Sequence, residues 1–181
     1  MLIYVYGGSG SGKSAYAEQR IVASGEKKRY YVATMEPFGT EGRRRIARHR
    51  ALREGKNFQT VECLVRLEQF TCVERGAVLI EDLSNLLANE IWSGQGRGWD
   101  GCDAAFAETV ADACKRLAGQ HALVVVVGND VYRESGVCSP EMERYIGLLA
   151  ECGRKIAAYA DEVVEVVCGI PLIQKGKQVN G

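Results

Sequence analysis

The chain has 181 residues, of which 46% are hydrophobic and 25% charged. This is the composition of one folded domain and excludes disordered, collagen-like and low-complexity chains. Its 23 Lys and Arg balance 23 Asp and Glu, so it lacks the basic excess expected of a protein that lives on nucleic acid. The longest apolar run, residues 122–127, is far short of the ~20 residues that cross a bilayer. The apolar start at Leu2–Tyr6 lacks the length and the basic residues of a secretion signal. One domain over residues 1–181, with no membrane span and a cytoplasmic location, is expected.

The seven cysteines are odd in number, and none has C-x-x-C spacing; the two histidines are His49 and His121. Neither a disulfide framework nor a zinc site follows from this, and reduced thiols filling core positions are expected.

In chain order, apolar and β-branched runs predict strands at Leu2–Tyr6, Tyr30–Thr34, Gln59–Glu62, Ala77–Glu81, Leu123–Gly128 and Glu162–Cys168, with a short last one at Leu172–Gln174. Several are continuously hydrophobic, as strands covered on both faces must be. Helical spacing predicts Lys13–Ala23, Glu41–Glu54, Leu83–Trp92, Asp103–Leu117 and Pro140–Tyr159. Asp103 and Ser139 are the expected N-caps of the last two, and Pro140 suits a first helical position. Strands alternating with helices predict an α/β fold with a mostly parallel sheet, whose ligands bind at the carboxyl ends of the strands.

The first strand runs into Gly7, Gly8, Ser9, Gly10, Ser11, Gly12, Lys13 and Ser14. This matches G-x-x-x-x-G-K-[ST] without a gap, and a helix follows. Glycines let backbone N–H groups close around phosphate, and the helix start adds its positive end. Lys13 supplies a point charge to the β- and γ-phosphates, and the Ser14 hydroxyl is placed to ligate Mg²⁺. A nucleoside triphosphate with Mg²⁺ is therefore the expected ligand. Glu81, at the end of the fourth strand, is a second candidate for the metal; Glu81 and Asp82 also read as an acidic pair opening the next helix. Asn129 and Asp130, after the fifth strand, either touch an acceptor or cap a turn.

The segment Glu41–Glu54 is rich in arginine. On a helix, Arg45, His49 and Arg53 share one stripe. Positive neighbours keep the His49 imidazole neutral, and a neutral imidazole is a competent nucleophile toward phosphorus. On residue type alone, His49 is either that nucleophile or a solvated surface residue. No N-K-x-D or D-x-x-G string of a switch GTPase occurs. A small-molecule kinase and a nucleotide-gated binding module are both compatible with these motifs.

The chain resembles the bifunctional adenosylcobinamide kinase / adenosylcobinamide-phosphate guanylyltransferase family of cobalamin biosynthesis. The resemblance rests on Gly7–Ser14, Tyr31–Thr34, Arg45–His49, Thr60–Glu62, Leu79–Glu81, Gly128–Asp130, Gly153–Arg154 and Val166–Ile170, in that order. It implies a three-layer P-loop NTPase fold of the RecA-like kind. It also implies two reactions: phosphorylation of adenosylcobinamide by ATP or GTP, then transfer of GMP from GTP to adenosylcobinamide phosphate through a covalent GMP-histidine at His49. Lys13 is the implied partner of His49 in catalysis. The implied nucleotide contacts are Gly7 to Ser14, Ala33, Thr34, Met35, Arg50, Ala51, Leu52, Arg53, Glu62 and Glu81, with Mg²⁺ on Ser14 and Glu81. A homotrimer is implied as well. The chain departs from the family pattern at Lys155-Ile156, where Asn-Gln usually follows the late Gly-Arg. It departs again at Asp82, where a neutral residue is expected.

Overall fold

The computed structural model describes residues 1–37, 39–40, 42, 44, 47, 51, 53–72, 74–131 and 138–176. Its elements are β1 (Leu2–Tyr6), α1 (Lys13–Ala23), β2 (Arg29–Ala33), β3 (Phe58–Glu62), a 3₁₀ turn (Leu67–Gln69), β4 (Ala77–Glu81), α2 (Leu83–Trp92), α3 (Asp103–Gln120), β5 (Leu123–Val127), α4 (Pro140–Tyr159), β6 (Glu162–Val167) and β7 (Ile170–Lys175). The strands form one sheet in the order β3-β2-β4-β5-β1-β6-β7. All neighbours run parallel except β7, which turns back antiparallel on β6. The order reverses around β1, which lies between β5 and β6 while the chain crosses from it to β2. A crevice at the carboxyl edge is the geometric consequence.

Alternation along the strands separates two cores. Leu2, Tyr4, Val78, Ile80, Val124 and Val126 face α2, α3 and α4. Ile3, Val5, Ala77, Leu79, Val125 and Val127 face Ala17 and Ile21 of α1. Both faces are covered, which explains why these strands carry no polar alternation. Tyr4 explains two glycines of the sequence pattern. A Cβ at Gly128 would lie 2.3 Å from the Tyr4 hydroxyl, and one at Gly153 would lie 2.6 Å from it. The phenol occupies the space those side chains would need. Among the described residues no helix is long and apolar enough to cross a membrane.

Element boundaries shift by a few residues. The last predicted strand extends to Ile170–Lys175 because it pairs along β6, and α3 runs on to Gln120. Within the predicted Glu41–Glu54 helix, Gly42, Arg44, Ala47 and Ala51 are helical and Arg53 already lies in a turn. Ser139 caps α4 as expected, accepting from the Met142 N–H at 3.3 Å. Asp103 does not cap α3. Cys102 holds that position, and Asp103 instead accepts two hydrogen bonds from Arg144 of α4 at 2.7 and 2.8 Å. The charge-assisted fork outcompetes a local cap, while the carboxylate still sits in the first turn where the helix dipole favours it.

His121 closes α3, its N–H bonded to Leu117 O at 2.9 Å. Its ring is buried edge-on to Tyr30, 6.1 Å between centroids. Burial pushes the imidazole below its ordinary 6.5, and Arg75 and Arg116 push it further the same way. The folded state therefore resists a proton that the unfolded chain accepts. The resulting stability is present above pH 6.5 and is lost as pH falls below it. Denaturant unfolding between pH 7.5 and 5.0 is expected to show a falling free energy in the parent and a flatter profile in His121→Phe; equal slopes would remove His121 as the cause.

Candidate active site

The phosphate loop joins β1 to α1 at the carboxyl edge. Gly12, the residue before α1, has φ +92°, and its α-carbon side meets Gly169, where an added Cβ would come within 3.2 Å of the Gly169 Cα. Only glycine combines that left-handed backbone with that approach. No side chain caps α1, and no acidic residue sits in its first turn. The residue before it offers no capping side chain to its leading N–H groups, which suits an anion site. The loop is braced by backbone bonds. Gly169 N–H donates to Ser11 O at 2.8 Å, Asp130 N–H to Gly7 O at 3.1 Å, and Lys13 Nζ to Gly8 O at 3.0 Å. Lys13 is 7% exposed, so its charge works in a partly desolvated setting where it counts for more.

Glu81 closes β4 directly opposite. Ser14 Oγ donates to its Oε1. Its other oxygen, Oε2, is buried and has no hydrogen-bond partner among the described residues. Burial raises this carboxyl to about 7, with Asp82 and Glu18 adding to the rise and the Ser14 bond and Lys13 opposing it. A buried carboxylate oxygen beside a serine hydroxyl is a hard-oxygen pair suited to Mg²⁺, which takes one or two protein ligands and completes its shell with phosphate and water. The described residues contain no cluster of three His, Cys, Asp or Glu side chains, so a transition-metal cage is not offered there.

Register lines up the remaining predicted contacts. Ala33 pairs with Glu62 on one side and with Glu81 on the other, so the three end their strands in one row. Thr34 is fully buried and spoken for. Its N–H donates to Glu81 O at 3.1 Å, its hydroxyl to Asp82 O at 2.8 Å, and its carbonyl accepts from Asn89 Nδ2 at 2.7 Å. That side chain ties β2 to β4. Met35 is half-buried and Ala51 exposed. Arg53 stacks on the Tyr31 ring, 3.3 Å from its centroid, and its buried Nη1 has no hydrogen-bond partner among the described residues. The stripe partner Arg45, the nucleophile candidate His49, and Arg50 and Leu52 lie outside the described residues.

Asp82 departs from the metal site. It caps α2 by accepting from Asn85 N–H at 2.8 Å, and it also accepts from Ser84 Oγ at 2.7 Å and Asn129 Nδ2 at 3.1 Å. The acidic pair thus divides: Glu81 faces the phosphate loop and Asp82 opens a helix. Ser84 and Tyr145 enter the site's framework with no motif to announce them, whereas Gly169 lies in the Val166–Ile170 stretch. The only local signal was the capping pattern of Asp82 before Asn85.

Residues 3–173 match the family model for cobinamide kinase / cobinamide phosphate guanyltransferase. The chain is 28% identical over 185 residues to the bifunctional adenosylcobalamin biosynthesis protein CobU of Salmonella typhimurium strain LT2, over 94% of this chain and 97% of that one. Among solved structures it is similar to the flagellar accessory protein FlaH from Methanocaldococcus jannaschii, with a TM-score of 0.50 and 13% identity, over 97% of this chain and 78% of that one. At that identity only the fold is shared, an α/β P-loop arrangement of the RecA-like kind.

Lys13→Ala is expected to weaken GTP and ATP binding by ~100-fold or more in calorimetry, since it removes a charge-assisted contact worth up to about 3 kcal/mol from a partly desolvated site. Unchanged affinity for both nucleotides would dismiss the loop as the phosphate site.

Proposed function

The chain belongs to the cobinamide kinase / cobinamide phosphate guanyltransferase family of transferases, and from that premise we propose that one nucleotide site serves two successive transfers onto adenosylcobinamide. The observation that carries the reading is the phosphate loop with buried Lys13 facing the Ser14–Glu81 pair at the carboxyl edge.

In the first transfer, a hydroxyl oxygen on the aminopropanol arm of adenosylcobinamide attacks the γ-phosphorus of ATP or GTP. The new O–P bond forms as the bond to the β–γ bridging oxygen breaks, and the diphosphate leaves with that electron pair. Such a displacement asks the protein for alignment and for neutralisation of charge on the phosphoryl oxygens. The N–H groups at the start of α1 and the Lys13 ammonium supply that neutralisation. Ser14 and Glu81 would hold Mg²⁺, which supplies Lewis-acid charge at the β- and γ-phosphates when bound. A raised Glu81 carboxyl is consistent with a group built to meet a cation, since a nearby positive charge stabilises its ionised form.

In the second transfer, a ring nitrogen of His49 attacks the α-phosphorus of GTP, and pyrophosphate departs. The phosphoramidate so formed then passes GMP to a phosphate oxygen of adenosylcobinamide phosphate as the P–N bond breaks, giving adenosylcobinamide-GDP. Splitting one displacement into two through a labile P–N bond is the advantage of a covalent intermediate. Arg50 and Arg53 flank His49 in sequence and would offset the charge of the triphosphate. Glu62, beside Ala33 in the row, would accept from a guanine N1–H and exocyclic amine, which leaves Glu81 to the metal. By resemblance the working form is a homotrimer.

Incubation with α-labelled GTP is expected to leave acid-labile, alkali-stable label on the protein. His49→Asn is expected to abolish that label and to leave ATP-dependent phosphorylation of adenosylcobinamide within a few-fold of the parent. Label that survives in His49→Asn would eliminate the covalent assignment.

A further inference from the structure

The ends of β2, β4 and β5 are joined by one directed hydrogen-bond network centred on Asp82. Asp82 O accepts from Thr34 Oγ1 at 2.8 Å, its Oδ1 accepts from Asn85 N–H and Ser84 Oγ, and its Oδ2 accepts from Asn129 Nδ2 at 3.1 Å. Asn129 Nδ2 also donates to Ser84 Oγ at 2.6 Å, and the Tyr145 hydroxyl donates to Ser84 O at 2.9 Å. Proton positions follow from chemistry. A carboxylate oxygen only accepts, so the Asn129 amide must turn its nitrogen toward Asp82. Its two protons go to Asp82 and Ser84, and the Ser84 hydroxyl proton goes to Asp82. Among the described residues no hydrogen bond engages the Asn129 carbonyl oxygen Oδ1, which makes it the group to meet a ligand.

That oxygen belongs to a residue pinned beside the phosphate loop on both sides. Gly128 N–H donates to Val5 O at 2.8 Å and Asp130 N–H to Gly7 O at 3.1 Å, so Asn129 sits against the start of the loop. On the neighbouring strand β4, the residue preceding Asp82 is Glu81, bonded to Ser14. Asn129 therefore stands at the mouth between the phosphate cradle and the metal-side carboxylate, where a nucleophile must approach a γ-phosphorus held by the loop.

We propose that Asn129 Oδ1 receives the hydroxyl of the phosphoryl acceptor, and that Asp82 is the positioning residue that keeps the amide turned that way. The inference rests on the kinase half of the proposed function. An amide oxygen is no base at neutral pH, so Asn129 orients the O–H while the alcohol oxygen bonds to phosphorus, and the proton then passes to solvent.

The test exchanges donor and acceptor. Asp82→Asn keeps an oxygen for the Asn85 N–H but sets an NH₂ against the Asn129 NH₂, which forces the Asn129 amide to flip. Asn129→Asp alone sets two carboxylates face to face. The pair Asp82→Asn with Asn129→Asp restores one donor and one acceptor and returns an accepting oxygen to the crevice. With ATP and adenosylcobinamide, each single variant is expected to lose about 100-fold in kcat, the scale of a misoriented reactant, while Mg·ATP affinity in calorimetry stays within a few-fold. The double variant is expected to recover most of that loss. A double variant as slow as Asp82→Asn would overturn the inference. So would an Asp82→Asn variant that loses melting temperature but keeps its kcat, the signature of a helix cap and nothing more. Turnover in the parent without rescue sinks this inference alone, whereas a parent that phosphorylates no adenosylcobinamide sinks the kinase reading and this inference with it.

Discussion

A polyphosphate can be gripped by backbone only where several N–H groups converge and no Cβ stands between them and the anion. That requirement shapes the centre of this molecule. Gly12 adopts a left-handed backbone within 3.2 Å, Cβ to Cα, of Gly169, which packs the β6–β7 turn under the loop and closes it with the Ser11–Gly169 bond. The loop hangs from β1, which is buried along its length and hydrogen-bonded on both sides by β5 and β6. A loop that gives up side chains for access needs such a rigid mount, because its own residues contribute little packing.

Charge at the carboxyl edge is arranged in opposition. Lys13 and the start of α1 stand on one wall, and Glu81 stands on the other with Asp82 and Glu18 behind it. Glu18 is drained by Lys56, 2.5 Å away, so it does not compete for the loop. Arg53 lies flat on the Tyr31 ring. The stacking holds a guanidinium in a buried position at low cost, since its faces are weakly hydrated and its edge remains available for planar anions. In the proposed site, cations thus face the phosphates and Glu81 faces a metal.

The family's two chemistries make different demands on that arrangement. Phosphoryl transfer to an alcohol needs the nucleotide's outer phosphate and the acceptor brought together, and the ends of β4 and β5 supply a surface for this beside the loop. Nucleotidyl transfer needs the inner phosphate to meet a nucleophile, the role we propose for His49 in the arginine-rich segment after β2. In that proposal both transfers share one grip on the triphosphate, which is economical because that grip is where most of the charge must be balanced.

Much of this was legible from residue types. Continuous apolar runs announced strands covered on two faces, and the two alternating cores explain why they read that way. The phosphate loop was legible because its spacing is the geometry itself. Ser139 with Pro140 marked a helix start correctly, since a cap depends only on neighbours in sequence. Asp103 misled for the opposite reason: Arg144, 41 positions away, was the better partner, and no local pattern carries that information. The division of Glu81 from Asp82 was only half legible: the cap of Asp82 on Ser84 and Asn85 is local, but the bonds that pair Glu81 with Ser14 and Asp82 with Asn129 join residues 67 and 47 positions apart. Sequence alone determined the fold class and the phosphate-loop motif, because those depend on local spacing, and it favoured His49 as a candidate nucleophile only through a family resemblance. Which carboxylate bonds Ser14 and which one holds a helix and the Asn129 amide in place were decided by tertiary contact, because hydrogen-bond direction exists only once both partners are in place.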